Sequence, residues 1–132
     1  PVELVEAKWA KPLRPDRWPE IVTITAAYGH GVSGSPLNLA SAYSTIANGG
    51  IKVTPTLLKR TEPMQGERVM KETTAHLAVA MMRRVVTEGT ASLGDVPGYA
   101  VAGKTGTAEK TKKGGGYIRD KVVNTFACVF KN

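Results

Sequence analysis

The sequence predicts a mixed α/β fold of the α+β kind, an antiparallel β-hairpin backed by amphipathic helices. Three observations carry that expectation. "SPLNLASAYSTIANGG" (35–50) has a helix start, helical apolar spacing and a glycine stop. "ETTAHLAVAMMRRVVTEG" (72–89) repeats the spacing over a longer run. Finally, the extended runs at 99–109 and 121–130 are joined by the glycine-rich "KTKKGGGY".

In chain order, residues 1–20 hold four of the eight prolines and read as an irregular arm that packs through Trp9 and Trp18. The arm extends to about residue 25, and 26–132 form the core of the unit. "IVTITAAY" (21–28) is rich in β-branched residues and predicts an extended segment, turned by Gly29-His30-Gly31. The first helix spans 36–48. Ser35 is its N-cap, Pro36 takes the first helical position, and Gly49-Gly50 closes it. Leu39, Ala42, Tyr43, Ile46 and Ala47 fall on one stripe. "IKVTPTLLKR" (51–60) is extended, with Pro55 excluding a central strand, and "PMQGER" (63–68) is a turn. The second helix spans 72–88, with Ala75, Ala78, Val79, Met82, Val85 and Val86 on one face and Glu72, His76, Arg83 and Arg84 largely off it. "TASLGDVPG" (90–98) is a loop or a short helical turn before the two strands.

The 132 residues fit one modest domain, and an apolar share of 42% with 22% charged residues is ordinary for a folded protein. The net charge of +7 fits either an anionic partner or a lysine-rich solvated surface. One cysteine, Cys128, excludes an internal disulfide and reads as strand core. No apolar run approaches the roughly 20 residues of a membrane helix, and no signal-peptide pattern opens the chain. His76 reads as a solvated helix residue and His30 as a loop residue bonded locally. With no third ligand nearby, neither suggests a metal site, and no cofactor is expected.

Gly98, four residues, then Gly103-Lys104-Thr105 match the phosphate-loop pattern G-x-x-x-x-G-K-[ST]. The surroundings argue against that use. No buried strand precedes Gly98, the intervening Tyr-Ala-Val-Ala is no glycine cradle, and Gly106 stands where the helix should begin. As a strand, the same residues put Ala102, Lys104, Gly106 and Ala108 on one side, leaving room beside the ammonium. Thr105, Thr107 and Thr111 add hydroxyls. Two readings of these residues stay open: a receptor for a carboxylate-ended peptide, or a solvated lysine on an ordinary hairpin.

Lys104-Thr105-Gly106-Thr107 resembles the third signature of the penicillin-binding, serine-acylating transpeptidases. The order of "GHGVSGSPLNLASAYSTIANGG", then "MMRRVVTEGTA", then "GYAVAGKTGTAEK" is similar to the C-terminal half of class B penicillin-binding proteins, over roughly residues 28–130. The family's Ser-x-x-Lys and Ser-x-Asn motifs are absent from these 132 residues. Thr56 and Thr107 each have a lysine three on, but neither stands at a helix start.

The resemblance implies the serine β-lactamase/transpeptidase-like fold, and a C-terminal part of a D,D-transpeptidase domain that is inert without its serine. It implies an acyl-serine reaction on D-Ala-D-Ala stem peptides, imitated by β-lactams. Lys104 would supply a fixed cation, and Thr105 and Thr107 would hold the substrate carboxylate. Gly106 would keep the adjoining face open, and the Thr107 N–H would form half of an oxyanion hole. Implied partners are the remainder of the transpeptidase domain and, through an exposed sheet edge and helix face, a second copy of the chain. The implied location is the periplasmic face of the inner membrane, held by an anchor outside this chain. The rivals are a basic module for nucleic acid or another anionic polymer, and a β-lactamase or β-lactam sensor. Nucleic acid is not an expected partner in the leading reading.

Overall fold

A computed structural model of the chain describes residues 3, 12, 14–62, 65–112 and 116–130. In order come α1 (Glu20–Ala27), α2 (Pro36–Ala47), α3 (Glu72–Thr87), a 3-10 turn at Ser92–Gly94, β1 (Ala102–Thr111) and β2 (Tyr117–Val129). Trp9 and Lys113 to Gly115 lie outside the described residues.

The α2 start follows from local chemistry. Ser35 Oγ accepts the Asn38 N–H at 3.2 Å, and Asn38 Oδ1 accepts the Ser35 N–H at 3.0 Å, a reciprocal cap. At the far end Gly50, at φ 85°, donates its N–H to the Thr45 carbonyl at 2.9 Å. The apolar stripe is only half covered: Tyr43 and Ile46 are half-buried, whereas Leu39, Ala42 and Ala47 are exposed. The buried side chain is Thr45. Its hydroxyl donates to the Ser41 carbonyl and accepts the Val53 N–H, which ties α2 to the extended segment after it. An isolated bridge, Ile51 to Arg68, is the ladder pairing of that segment.

On α3 the six residues of the expected face are all buried or half-buried, with Ala75 and Val86 deepest. Val86 joins Ala91 and Val101 in the core, with Val85 packed against them. Arg83 departs from expectation. It is only partly exposed, and its Nη1 donates to Asp95 Oδ1 and to the Val101 carbonyl, both at 2.8 Å.

Residues 20–27 are helical, not extended, so the irregular arm ends before residue 25. Pro19 precedes the helix and Glu20 sits in its first turn, where a carboxylate suits the positive end of the helix dipole. The Thr25 hydroxyl bonds back to the Ile21 carbonyl at 2.9 Å, so this β-branched residue satisfies its polar group within the helix. Trp18 is 51% exposed and donates Nε1 to Thr23 Oγ1 rather than entering the core.

The strands pair antiparallel in register from Ala102↔Val129 to Glu109↔Val122, then slip to Thr111↔Tyr117. The slip lies beside Asp120, whose φ of 64° is the left-handed conformation that a bulge accepts. The hairpin therefore starts later on β1 than Tyr99 and reaches further toward its tip on β2 than Lys121. Tyr99 instead closes a turn onto Val96. Cys128 is exposed rather than core: among the described residues only two strands form the sheet, and its cross-strand neighbour Gly103 has no side chain to cover it.

The accessible surface is 10899 Å², against roughly 6,700 Å² for a compact monomer of this length. The excess is apolar in part, including Ile21, Ile24, Tyr28, Leu57, Leu58 and Leu93. Among the described residues no helix is long and apolar enough to cross a membrane.

Candidate active site

The four residues singled out by sequence lie consecutively on β1, in the regular part of the hairpin. Lys104 stands opposite Ala127, Thr105 opposite Phe126, Gly106 opposite Thr125 and Thr107 opposite Asn124. The Lys104 side chain turns along its own strand. Its Nζ donates to the Thr105 carbonyl at 2.7 Å and approaches Thr105 Oγ1 at 3.4 Å.

Backbone groups two residues apart on a strand point to the same lateral side. The carbonyls of Val101 and Thr105 are both taken by cationic side chains, Arg83 and Lys104. They mark the edge of β1 away from β2, and the N–H and C=O of Thr107 follow on that same edge.

The hydroxyls divide between two tasks. Thr105 Oγ1 lies 3.0 Å from Thr90 Oγ1, and Thr107 Oγ1 donates across the hairpin to Asn124 Oδ1 at 3.2 Å. Gly106 lies under a neighbour: a Cβ built there would stand 2.6 Å from Thr125 Oγ1. At Gly103 a Cβ would meet the Phe126 ring at 2.7 Å and the Ala127 carbonyl at 2.8 Å. The same ring lies against Gly94, so Phe126 couples the strand to the 3-10 turn.

Other candidates sit apart from this cluster. His30 has its ring centroid 6.5 Å from that of Tyr117, at the tip of the hairpin. His76 is exposed and 3.9 Å from Glu72. Thr56 is in a non-helical segment, where its hydroxyl donates to Glu3 Oε1 at 2.7 Å. That bond and the Leu57 N–H hold the Glu3 carboxyl below the usual carboxylate range. Burial, with Cys128 a lesser influence, raises the Tyr43 phenol. A cavity of about 340 Å³ is bounded by Ala47, Val79, Arg83, Ala102, Val129 and Phe130, away from the Lys104–Thr107 run. Among the described residues no three His, Cys, Asp or Glu side chains gather to hold a metal ion.

Thr90, Asn124, Thr125 and Arg83 also meet this strand or the residue just ahead of it, and none belongs to the Lys-Thr-Gly run. Asn124-Thr125 interrupts the apolar run "VVNTFACVF", a polar pair that signals cross-strand bonding. Thr90 carries no local signal, because its partner is distant in sequence.

Lys104, Thr105, Gly106 and Thr107 thus lie on one strand, beside an edge that no other described strand pairs. The family model described as the penicillin binding protein transpeptidase domain matches residues 2–131, and the chain belongs to that family. It is 37% identical over 136 residues to the probable peptidoglycan D,D-transpeptidase FtsI of Caulobacter vibrioides (strain NA1000 / CB15N), covering 98% of this chain and 23% of that protein. Against the peptidoglycan D,D-transpeptidase FtsI of Escherichia coli (strain K12) it is 36% identical over 110 residues, 83% of this chain and 19% of that one. The apo transpeptidase domain of Burkholderia pseudomallei penicillin-binding protein 3 superposes with a TM-score of 0.79 at 40% identity, covering 88% of this chain and 36% of that structure. The chain thus spans about a quarter or less of the length of these two FtsI relatives. Its fold is the penicillin-binding/β-lactamase-like fold of those neighbours.

Proposed function

We propose that this chain supplies the Lys-Thr-Gly strand of a peptidoglycan D,D-transpeptidase, whose serine nucleophile lies in a part of the protein beyond these 132 residues. The observation that carries this reading is the Lys104 ammonium folded over the Thr105 carbonyl, on the edge of β1 that no other described strand pairs. An extended peptide ending in a carboxylate adds to such an edge by main-chain hydrogen bonds, and the cation favours its anionic end.

In the reaction the serine Oγ attacks the penultimate D-alanine carbonyl and gives its proton to a base. The C–N bond breaks, the last D-alanine leaves with a proton on its nitrogen, and an acyl-serine ester remains. An amine of a neighbouring stem peptide then attacks the ester, forming the cross-link and regenerating the serine. Lys104 stabilises anionic oxygen near the reacting carbonyl, and the Thr107 N–H donates to the developing oxyanion. The Thr107 hydroxyl is held by Asn124, so the backbone N–H is the stronger part of its role. The Thr105 hydroxyl receives the substrate carboxylate. Gly106 brings no side chain between these groups, and the space above it is taken by Thr125. β-Lactams enter as imitators of the D-Ala-D-Ala end. The setting is the periplasmic face of the inner membrane, and the exposed apolar surface packs against the remainder of the domain.

The test is fluorescent-penicillin labelling of the full-length protein that carries this chain. Wild-type protein takes a label that survives denaturation. Lys104→Ala slows labelling by about 100-fold or more while thermal unfolding is preserved. Absence of label on the folded wild type, or wild-type labelling by the variant, overturns the reading.

A further inference from the structure

Thr90 lies between α3 and the 3-10 turn, away from the strand in sequence, yet its hydroxyl touches the carboxylate-binding threonine. Thr90 Oγ1 is 3.0 Å from Thr105 Oγ1, and either oxygen can donate. Its backbone is firmly placed. The adjoining Ala91 is 6% exposed, belongs to the core with Val86 and Val101, and donates its N–H to the Val85 carbonyl at 3.1 Å. Among the described residues Thr90 Oγ1 has no other hydrogen-bond partner.

A threonine hydroxyl has one proton and two acceptor sites. At Thr105 the Lys104 Nζ, 3.4 Å away, can only donate, and so takes one acceptor site. When Thr90 donates as well, both sites are filled, and the single Thr105 proton is left to point away from both neighbours, free for an incoming acceptor. A hydroxyl that accepts two hydrogen bonds is polarised into a better donor. An arriving carboxylate, which can only accept, selects this orientation.

We infer that Thr90 is a positioning residue that turns the Thr105 proton onto the ligand's carboxylate, so that it contributes to selection for anionic over neutral ends. The inference rests on the function proposed above, and its test separates the two. Second-order acylation rates are measured on the full-length protein with benzylpenicillin and with its neutral methyl ester. Thr90→Val removes the hydroxyl at nearly constant shape, and Thr90→Ser keeps it.

The expected result is a loss of about fivefold for Thr90→Val with the acid, and of less than about twofold with the ester. Thr90→Ser stays near wild type with both. In a Thr105→Val background, Thr90→Val causes no further loss with the acid. Wild-type rates for Thr90→Val with the acid, or equal losses for acid and ester, overturn the inference. Thermal unfolding of each variant is recorded, and Thr90→Ala takes the place of Thr90→Val if the latter fails to fold. A folded wild type that takes no label overturns the transpeptidase reading itself, whereas labelled protein with no acid-to-ester difference removes only the role of Thr90.

Discussion

Gly103 and Gly106 look alike in the sequence, but their neighbours differ. Above Gly106 stands the Thr125 hydroxyl, the end of a short side chain; above Gly103 stand a ring and the Ala127 carbonyl, which is main chain. Gly106→Ala should cost about 1–3 kcal/mol of stability, and Thr125→Ala in the same molecule should recover most of that. Gly103→Ala should cost at least as much and resist rescue, because trimming Phe126 leaves the carbonyl in place. Denaturant midpoints of the full-length protein check both expectations, and rescue of both variants alike would contradict the geometry. The Lys-Thr-Gly run was legible as sequence because it is contiguous. Its supports, Thr90, Asn124 and Thr125, were not, because they meet it only through tertiary pairing.

Among the elements, α2 and α3 were legible to within a residue, since apolar spacing and glycine stops agree in both and α2 adds a reciprocal cap. α1 was not. Its β-branched residues favour a strand when counted by type, but Pro19 ahead of the first turn and Glu20 within it set up a helix start. The other departure is Arg83, whose charge placed it on the solvent side of α3. Its guanidinium joins that helix to Asp95 and to the Val101 carbonyl, just ahead of β1. Because the Asp95 carboxylate is 44% exposed, water screens the ion pair, and the bond to the carbonyl carries more of the effect. Arg83→Ala should destabilise the protein by about 1–3 kcal/mol, while Asp95→Asn should cost less. Thermal melts of the two variants and their combination read the difference; a larger effect for Asp95→Asn would reverse the assignment.

At the scale of the whole molecule, a small core of Val86, Ala91 and Val101 accompanies a surface far larger than a compact chain of this size presents. Two strands alone leave an edge and much of both faces uncovered. The sequence hinted at this through the resemblance, which implies an exposed sheet edge and helix face, but hydropathy could not reveal it, since apolar residues look the same whether or not a neighbour covers them. The 132 residues prepared alone should bind a hydrophobic dye strongly and elute from a sizing column as self-associated species. The same residues within the full-length protein should do neither. A compact, dye-silent monomer would mean that the apolar surface finds cover within the chain itself.

The slip in pairing beside Asp120 has a consequence for evolutionary tolerance. It works as an expansion joint between the tip of the hairpin and the run from Ala102 to Glu109. Residues gained or lost in the connection at 112–116 can be absorbed at that joint, without turning Lys104 from one face of the ribbon to the other. Length variation can therefore accumulate at the tip while the run from Lys104 to Thr107 keeps its register.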